Sequence, residues 1–417
     1  MAVTSLYRMG SANTYDSAVQ NIEGRQSKLS QMQEQLTSGK RVVRPSDDPT
    51  AAAQAERAIT RMERIKADQR ALEQQKNAIA MGESTLGDIT DALQNFRELA
   101  VSAGNGTHTS AERQTIANQL SGLRDQILSL ANRTDTNGRP LFASLGSALA
   151  PFVGPLTTPP DYTFNGLPGQ GSSSAISIPF ALDGDSAFMH NVVRDGVYNV
   201  TLPVAASGQL TTSAVALTHT APVPDGSSYT VDITGVATAA GVTTVTYNVT
   251  GTPTAVVPGT GYTASFPAST NGGSFTVSQM PGLTMTVKGV PTVGDKIQVA
   301  PNASIFSSLD NAIRDIGSAA SNNAATQAVG QALSNIDSGI ARVSMVRGVA
   351  GDLLNRADTI NSNQEKRSIQ LEADRSRAED LDMIKGVSDF QNQQTGYQAA
   401  LQSYAQVQKL SLFNFIG

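Results

Sequence analysis

The stretch RVVRPSDDPTAAAQAERAI, residues 41–59, decides how the N-terminal part of the chain folds. It places two prolines around a pair of aspartates, although the rest of residues 1–139 contains no proline. Pro45 disfavours a helical conformation at the residue before it, so a helix is not expected to run through it. Pro49 suits the first turn of a new helix, because the N–H group that it lacks would have no partner there. The stretch therefore predicts a break between two helices.

The residues around this break predict how each helix ends. Gly39 is expected just past the first helix, where glycine adopts a left-handed conformation without steric cost. Asp48 is expected to cap the second helix, because its carboxylate can accept hydrogen bonds from free backbone N–H groups; Ser46 and Asp47 are the alternatives. The predicted hinge consists of Gly39, Pro45, Ser46, Asp47, Asp48 and Pro49.

Composition divides the chain into three zones. Fourteen of the eighteen prolines lie between Pro151 and Pro291, and residues 142–300 contain no glutamate. Short β-branched runs between glycines and prolines predict antiparallel strands there, as in YTVDITGVATAAGVTTVTYNV (229–249). The flanking zones are rich in glutamine, alanine, leucine, arginine and glutamate. We therefore predict two helical arms with an inserted β-rich domain between them.

Heptad spacing of apolar residues in the arms predicts long helices that pair as a coiled coil or a bundle. The second helix is expected from Pro49 to Ala103, which is about 80 Å at ~1.5 Å per residue. A third is expected over residues 110–132, and helices resume near Phe306. The residues expected to meet in an assembly seam are Tyr15, Ile22, Leu29 and Leu36 in the first helix and Phe390, Tyr397, Leu401 and Tyr404 in the last.

The last residues of the chain are strongly apolar. Leu410, Leu412 and Phe413 lie in the closing segment YAQVQKLSLFNFIG and are added to the predicted seam. Exposed apolar side chains of this kind indicate a surface that another subunit covers. Docking onto the helices of the same molecule is the alternative, and the periodicity alone favours neither.

These patterns predict a multidomain α + β fold, in which the terminal helices form a coiled-coil or bundle stalk and carry an inserted antiparallel β-rich domain. Terminal assembly helices are expected at residues 1–40 and 376–417. Two halves of a helical bundle are expected at 41–141 and 303–375. The β-rich domain is expected at 142–302, as one or two subdomains.

No pattern in the sequence indicates catalysis, a metal site or a cofactor. His108, His190 and His219 are the only histidines, and their spacing fits no metal site. GVPTVGDK (289–296) approaches a phosphate-binding loop, but Asp295 replaces the lysine and would repel phosphate. The net charge of −5 gives no nucleic-acid footprint, and no apolar run is long enough to span a membrane. We therefore expect neither enzyme activity nor nucleic-acid or membrane partners.

Four stretches resemble the flagellin superfamily. They are QLTSGKRVVRPSDDPTAAA (35–53), TDTNGRPLFA (134–143), GVPTVGDKIQVAP (289–301) and EDLDMIKGVSDFQNQQTGYQAALQSYAQVQKLSLFNFIG (379–417). The proline after the second aspartate and the LSLFNFIG end are similar to members that join the flagellar hook to the filament. The resemblance covers residues 1–143 and about 289–417 well and the middle of the chain poorly.

The resemblance implies a structural role in a junction layer between hook and filament. Members have termini that are unstructured in the monomer and form a coiled coil on assembly, followed by a helical bundle and solvent-facing β-rich domains. They leave the cell unfolded through the flagellar type III export channel. The start MAVTSLYRMGSANTYDSAV lacks the features of a cleavable signal peptide. Taken alone that would favour the cytoplasm, but this export route needs no such signal, so the implied location is extracellular.

The same resemblance implies the partners. They are further copies of the chain in a helical ring, the other hook-associated junction protein, flagellin, and a cytoplasmic export chaperone that binds the C-terminal helix.

Two alternative functions remain. One is a flagellin subunit of the filament itself. The other, from a different class, is a coiled-coil surface adhesin, which should carry a signal peptide and a membrane anchor; neither is visible in the sequence.

Overall fold

A computed structural model describes residues 11–157, 161–202, 209–218, 223–252 and 260–416. The side chains of residues 11–15, 407 and 409–416 lie outside this description, although their backbone belongs to helices. The chain forms two compact units, one of Met1–Arg70 with Asn361–Gly417 and one of Ala71–Ile360. None of the described helices has the length and apolarity that a membrane span requires.

Seven α-helices lie in the described part of the chain. They are α1 (Ser11–Ser38), α2 (Pro49–Ala103), α3 (Ser110–Ala131), α4 (Gly184–Phe188), α5 (Ile305–Gly317), α6 (Asn322–Glu379) and α7 (Met383–Ile416). The helix α2 begins and ends at the residues that the sequence indicated. Long helices at both ends with antiparallel sheets between them confirm the predicted fold class.

Eleven strands are formed by the described residues. They are β1 (Phe152–Val153), β2 (Thr163–Phe164), β3 (Tyr198–Thr201), β4 (Leu210–Thr212), β5 (Ala216–Leu217), β6 (Ser228–Ala239), β7 (Val242–Thr252), β8 (Tyr262–Pro267), β9 (Gly273–Met280), β10 (Leu283–Gly289) and β11 (Lys296–Pro301). One sheet has the order β3-β11-β6-β7-β8, and in a second sheet β10 pairs with β4, β5 and β9. The pairing within both sheets is antiparallel.

The two larger sheets enclose one apolar core and form a β-sandwich. Val231 in β6, Val245 in β7 and Val287 in β10 are fully buried in this core. The alternation of β-branched and polar residues in β6 and β7 puts every second side chain inside, as the pleat of a strand requires. A two-residue turn joins β6 to β7, and its residues Ala240 and Gly241 both have positive φ angles, 52° and 78°. That conformation suits the natural twist of a hairpin.

A second apolar core lies among α2, α3, α5 and α6 and also takes in the segment between α3 and β3. Phe152 and Phe188 from that segment are buried there in an edge-to-face contact, with ring centroids 5.1 Å apart. The composition of residues 142–188 resembles that of the β zone, but their aromatic side chains pack with the helices. Composition reports strand propensity and exposure, and it does not report which core an apolar side chain enters. We call this second cluster the helical core.

Candidate functional site

The terminal helices α1 and α7 pack against each other, and we call them the terminal helix pair. A β-carbon at Gly386 would lie 3.3 Å from Leu36 Cδ2, and one at Gly396 would lie 2.7 Å from a guanidinium nitrogen of Arg25. Residues later in α1 therefore meet residues earlier in α7, and the helices run antiparallel. Leu36 lies at the level of Gly386 and not beside Tyr397 or the seam residues that follow it. The absence of side chains at the two glycines lets the helices approach closely.

The apolar seam of this pair is only partly covered. No side chain described in α1 or α7 is fully buried. Leu401 remains 40% exposed. The other predicted seam residues with described side chains are half-buried: Ile22, Leu29, Leu36, Phe390, Tyr397 and Tyr404. Two helices alone thus leave a substantial part of the seam in contact with water.

Four predicted seam residues lie at positions whose side chains are outside the described part. They are Tyr15, Leu410, Leu412 and Phe413. Their backbone continues α1 and α7. Their place in the seam stays a prediction.

The hinge predicted between the first two helices forms the loop of residues 39–48, which we call the hinge loop. Gly39 has a φ of 71°, in the left-handed region, and α2 begins at Pro49. Asp48 Oδ1 accepts hydrogen bonds from the Ala51 N–H (3.0 Å) and the Thr50 hydroxyl (2.8 Å). This is the hydrogen-bonding geometry of a helix N-cap.

The remaining hinge residues have different surroundings. Asp47 Oδ2 accepts hydrogen bonds from the backbone N–H groups of Arg44 (2.9 Å) and Val43 (3.2 Å), which folds the loop back on itself. Pro45 and Ser46 are exposed. The two aspartates therefore stabilise the hinge loop in different ways, one by closing the loop and one by capping α2.

The charge on Asp48 is stabilised by its hydrogen bonds. The N–H of Ala51, the hydroxyl of Thr50 and the guanidinium of Arg41 lower the pKa of Asp48 to about 2. Arg41 Nη1 lies 3.2 Å from Asp48 Oδ2. The carboxylate is consequently ionised over the physiological pH range, and an anion at a helix N-terminus also interacts favourably with the helix dipole.

The hinge loop is bound to the break between α6 and α7. The Arg41 N–H donates to the carbonyl of Glu379 at 2.7 Å, and the Leu381 N–H donates to the carbonyl of Gly39 at 2.9 Å. Lys40 and Glu379 form an ion pair, and the Arg41 guanidinium donates to the carbonyl of Ala378 at 2.8 Å. The two helix breaks therefore lie side by side, although more than 330 residues separate them in sequence.

Sequence reasoning missed the polar residues that order the break between α6 and α7. Asp382 caps α7 by accepting hydrogen bonds from the N–H groups of Ile384 and Lys385, both at 3.1 Å. Arg375 bonds to Glu372 and Glu379, and the hydrogen bond with Glu372 is the main cause that raises the Arg375 pKa. The dense charges of ADRSRAEDLD (373–382) were the available signal.

The terminal helix pair and the hinge loop interact through apolar packing, helix capping and ion pairs. In the described part of the chain, no group of three or more His, Asp or Glu residues is placed to hold a metal ion. A half-buried polar cluster joins Arg124 and Asp310 in an ion pair and adds a 2.6 Å hydrogen bond from the Tyr162 hydroxyl to Asp310. Burial is the main cause that raises the pKa of Tyr162. This cluster links α3, α5 and the segment after β1 within the helical core.

Comparison with known families identifies the terminal regions. Residues 11–146 match the bacterial flagellin N-terminal helical region, and residues 333–416 match the bacterial flagellin C-terminal helical region. The two matches together cover more than half of the chain, and they contain both helix breaks and the terminal helix pair. The chain belongs to the flagellin superfamily.

Two relatives show how far the sequence similarity extends. Flagellar hook-associated protein 3 of Salmonella typhimurium is 37% identical over 147 residues, which is 35% of this chain and 46% of that protein. The flagellin of Escherichia coli O127:H6 is 32% identical over 130 residues, or 30% of this chain and 23% of the flagellin. The chain thus spans about half the length of the hook-associated relative it matches, and less of the flagellin.

A solved structure extends the similarity beyond the termini. The crystal structure of flagellar hook associated protein-3 from Legionella pneumophila matches with a TM-score of 0.60 and 25% sequence identity. The match covers 76% of this chain and 97% of that protein. The similarity of fold therefore includes nearly all of the Legionella protein.

Proposed function

We propose that this chain is a structural component of the bacterial flagellum that forms the junction layer between hook and filament by helical self-assembly. The observation that carries the proposal is the partly covered seam of the terminal helix pair. It occurs in a chain that is similar, over part of its sequence and in its fold, to hook-associated protein 3. A seam that one molecule leaves half-exposed is suited to completion by its neighbours.

The physical basis of assembly is burial of the remaining apolar surface. Burying a large apolar side chain completely stabilises a structure by roughly 1.5–3 kcal/mol. The half-buried seam residues, among them Ile22, Leu29 and Tyr397, retain part of that free energy for contacts between copies. Because each copy contributes several such residues, many small gains sum to a stable layer.

The proposal includes the partners and the location. We propose contacts with further copies of the chain, with flagellin on the filament side and with the other hook-associated protein on the hook side. A cytoplasmic export chaperone would bind the C-terminal helix before export. The protein would act outside the cell without enzymatic activity, after leaving through the type III channel without a cleavable signal. Tyr15, Leu410, Leu412 and Phe413 are assigned to the assembly seam with the described seam residues.

Immunogold labelling of intact flagella tests this function. The junction function predicts a single zone of label where the hook meets the filament. Label distributed along the filament would instead support the flagellin alternative. Label on the cell body of non-flagellated cells would support a surface adhesin, and either result would contradict the proposal.

A further inference from the structure

The β-sandwich and the helical core have separate apolar interiors, and hydrogen bonds and ion pairs connect them. The N–H of Thr212 in β4 donates to the side-chain carbonyl of Gln327 in α6 at 2.7 Å, and the Gln327 amide donates to the Thr212 hydroxyl at 2.6 Å. The amide of Gln331 donates to the carbonyl of Ser213 at 2.9 Å. Domains that meet through polar contacts are expected to move relative to each other more readily than domains that share an apolar core.

Two segments of the chain cross between the sandwich and the helical core, and they bond to each other. The His190 N–H donates to the carbonyl of Ala303 at 2.9 Å, and the Asn302 N–H donates to the carbonyl of Val197 at 3.0 Å. The first segment leads from α4 into β3, and the second leads from β11 into α5. A change in the orientation of the sandwich therefore requires these bonds to strain or open. We call the two segments, residues 189–197 and 302–304, the joint.

A cluster of charged side chains lies at the joint. Arg194 Nη2 lies 2.7 Å from Asp195 Oδ2, and Arg342 Nη1 of α6 lies 3.6 Å from Asp195 Oδ1. The side chains of Asp195 and Arg342 are 5% and 13% exposed. Arg342 also donates to the carbonyl of Ser186 in α4. Asp195 thus connects the joint to the helical core through α6.

His190 adds a titratable ring to this cluster. Both of its ring nitrogens are shielded from solvent. The groups that act on the ring from the joint and from α6 are Arg194, Asp195, Arg342 and the backbone of Asn302. Asp183 and Asp185 of α4 interact in turn with the two arginines. Charges of both signs therefore surround the ring, and its nitrogens do not reach water.

Burial decides how His190 titrates. It is the main cause that lowers the pKa of His190 to about 4, whereas a histidine in water has a pKa of about 6.5. The two arginines also lower this pKa, and the Asp195 carboxylate opposes the shift. Because opening the joint would hydrate the ring, a proton binds more strongly to the open joint than to the closed one.

We propose that His190 is an acid-sensitive latch, and that its protonation opens the joint and frees the sandwich to turn relative to the helical core. Above pH 6.5 the ring is uncharged and the closed joint has its full stability. As the pH falls towards 4, the charged ring favours the open joint, in which water can solvate it. The latch is a property of a single molecule, so its test does not depend on the proposed self-assembly.

Hydrogen exchange in the purified full-length chain at pH 7 and pH 4.5 tests the latch. The backbone N–H groups of His190, Asn302 and Thr212 report on the joint and its contact with α6, and those of Val231 and Leu93 report on the two apolar cores. After correction for the intrinsic pH dependence of exchange, the groups at the joint should exchange about thirtyfold faster at pH 4.5 than at pH 7. They should also exchange about a hundredfold faster than the core groups, which exchange only on global unfolding. Joint and core groups that exchange equally fast at pH 4.5 would show that only global unfolding exposes His190, which overturns the latch.

Variants that cannot titrate at residue 190 supply a second measurement. His190→Gln should remove the acceleration of exchange at low pH. His190→Phe, which keeps an aromatic ring, should remove it as well, and it decides the question if the His190→Gln variant does not fold. The control is His108→Gln, which changes a histidine in the loop between α2 and α3 and should keep the full acceleration. Acceleration that persists in a folded variant without His190 overturns the latch, and so does its loss in His108→Gln.

Discussion

The helical core and the terminal helix pair are built from the same kind of sequence but differ in how completely they bury it. In the core, Leu86, Ile89 and Phe96 of α2 have no exposed surface. In the terminal pair, Leu29 is half-buried and Leu401 is 40% exposed. Both sets of residues follow heptad spacing. The difference lies in the number of neighbours, because the core gathers side chains from α2, α3, α5, α6 and the segment before β3, whereas α1 and α7 have mainly each other.

This contrast separates two properties that a heptad pattern is often assumed to imply together. The pattern specifies a helix with an apolar stripe, and it does not specify that the stripe is covered within one molecule. A stripe covered from several sides stabilises the monomer. A stripe covered from one side retains free energy for association. The two regions should therefore respond differently to the same substitution.

The largest expected effect comes from the same leucine-to-alanine change in each region. Leu86→Ala should lower the free energy of unfolding by about 2–5 kcal/mol, because it leaves a cavity in a fully packed core. Leu29→Ala should lower it by less than about 1 kcal/mol, since Leu29 loses only part of its contact with solvent on folding. Urea unfolding of the purified monomer measures both values. Equal costs for the two variants would remove the distinction between the regions.

Low pH should lower the stability of the protein through His190, which lies between α4 and β3. Both ring nitrogens of His190 are shielded from solvent, and burial is the main cause that lowers its pKa to about 4, while the nearby Asp195 carboxylate opposes that shift. Because the folded-state pKa lies below the unfolded-state value of about 6.5, this contribution to stability is complete above pH 6.5 and is lost as the pH falls towards 4.

Unfolding free energies at pH 7 and pH 4.5 measure this effect. Between pH 7 and pH 4.5, the free energy of unfolding should fall by about 2 kcal/mol less in the His190→Gln variant than in the parent. This figure allows for the partial exposure of His190. The cost of Leu29→Ala should not change between the same two pH values, because a leucine does not titrate. Parent and His190→Gln curves that fall in parallel would contradict the effect of burial on His190.

A smaller effect is expected at the hinge loop. Replacing Pro45 and Asp48 by alanine removes the helix stop and the N-cap, so the melting temperature should fall by a few degrees and incorporation into flagella should decrease. The control is Ser46→Ala, because Ser46 is exposed and its hydroxyl makes no hydrogen bond to the described part of the chain. Thermal melts and a motility assay follow both variants. A double variant that behaves as the Ser46 control does would mean that the cap contributes nothing.

The smallest effect on the monomer is expected at the C-terminal end, where the effect on assembly should be greatest. Leu401→Asp, or deletion of residues 405–417, should leave the melting temperature of the monomer nearly unchanged, because Leu401 is already 40% exposed and we propose that the residues after it contact other copies of the chain. Both variants should fail at assembly, since a carboxylate in the completed seam is costly to desolvate. A large drop in monomer stability would show instead that the end docks onto its own molecule.

Much of the fold followed from local patterns. Pro45 and Pro49 fixed the break before α2, and the Gly-Asn-Gly stretch after Ala103 fixed its end. These signals act within a few residues, through backbone sterics and unpaired N–H groups, so they can be interpreted without knowing the rest of the molecule. The antiparallel β-rich middle was predicted in the same way, from β-branched runs between turn residues.

The sequence by itself indicated which regions form helices and strands, where α2 begins and ends, and that the long helices have apolar stripes. Only the tertiary structure decided that residues 142–188 join the helical core, that Glu379 meets the hinge loop, and that Leu36 lies beside Gly386. It also decided that Ile384 stays exposed and that Leu86 does not. These outcomes depend on contacts between residues far apart in the chain. Periodicity in the sequence indicates that an apolar side chain is to be buried against a neighbour. Only tertiary packing determines which neighbour it contacts and how much of its surface is buried.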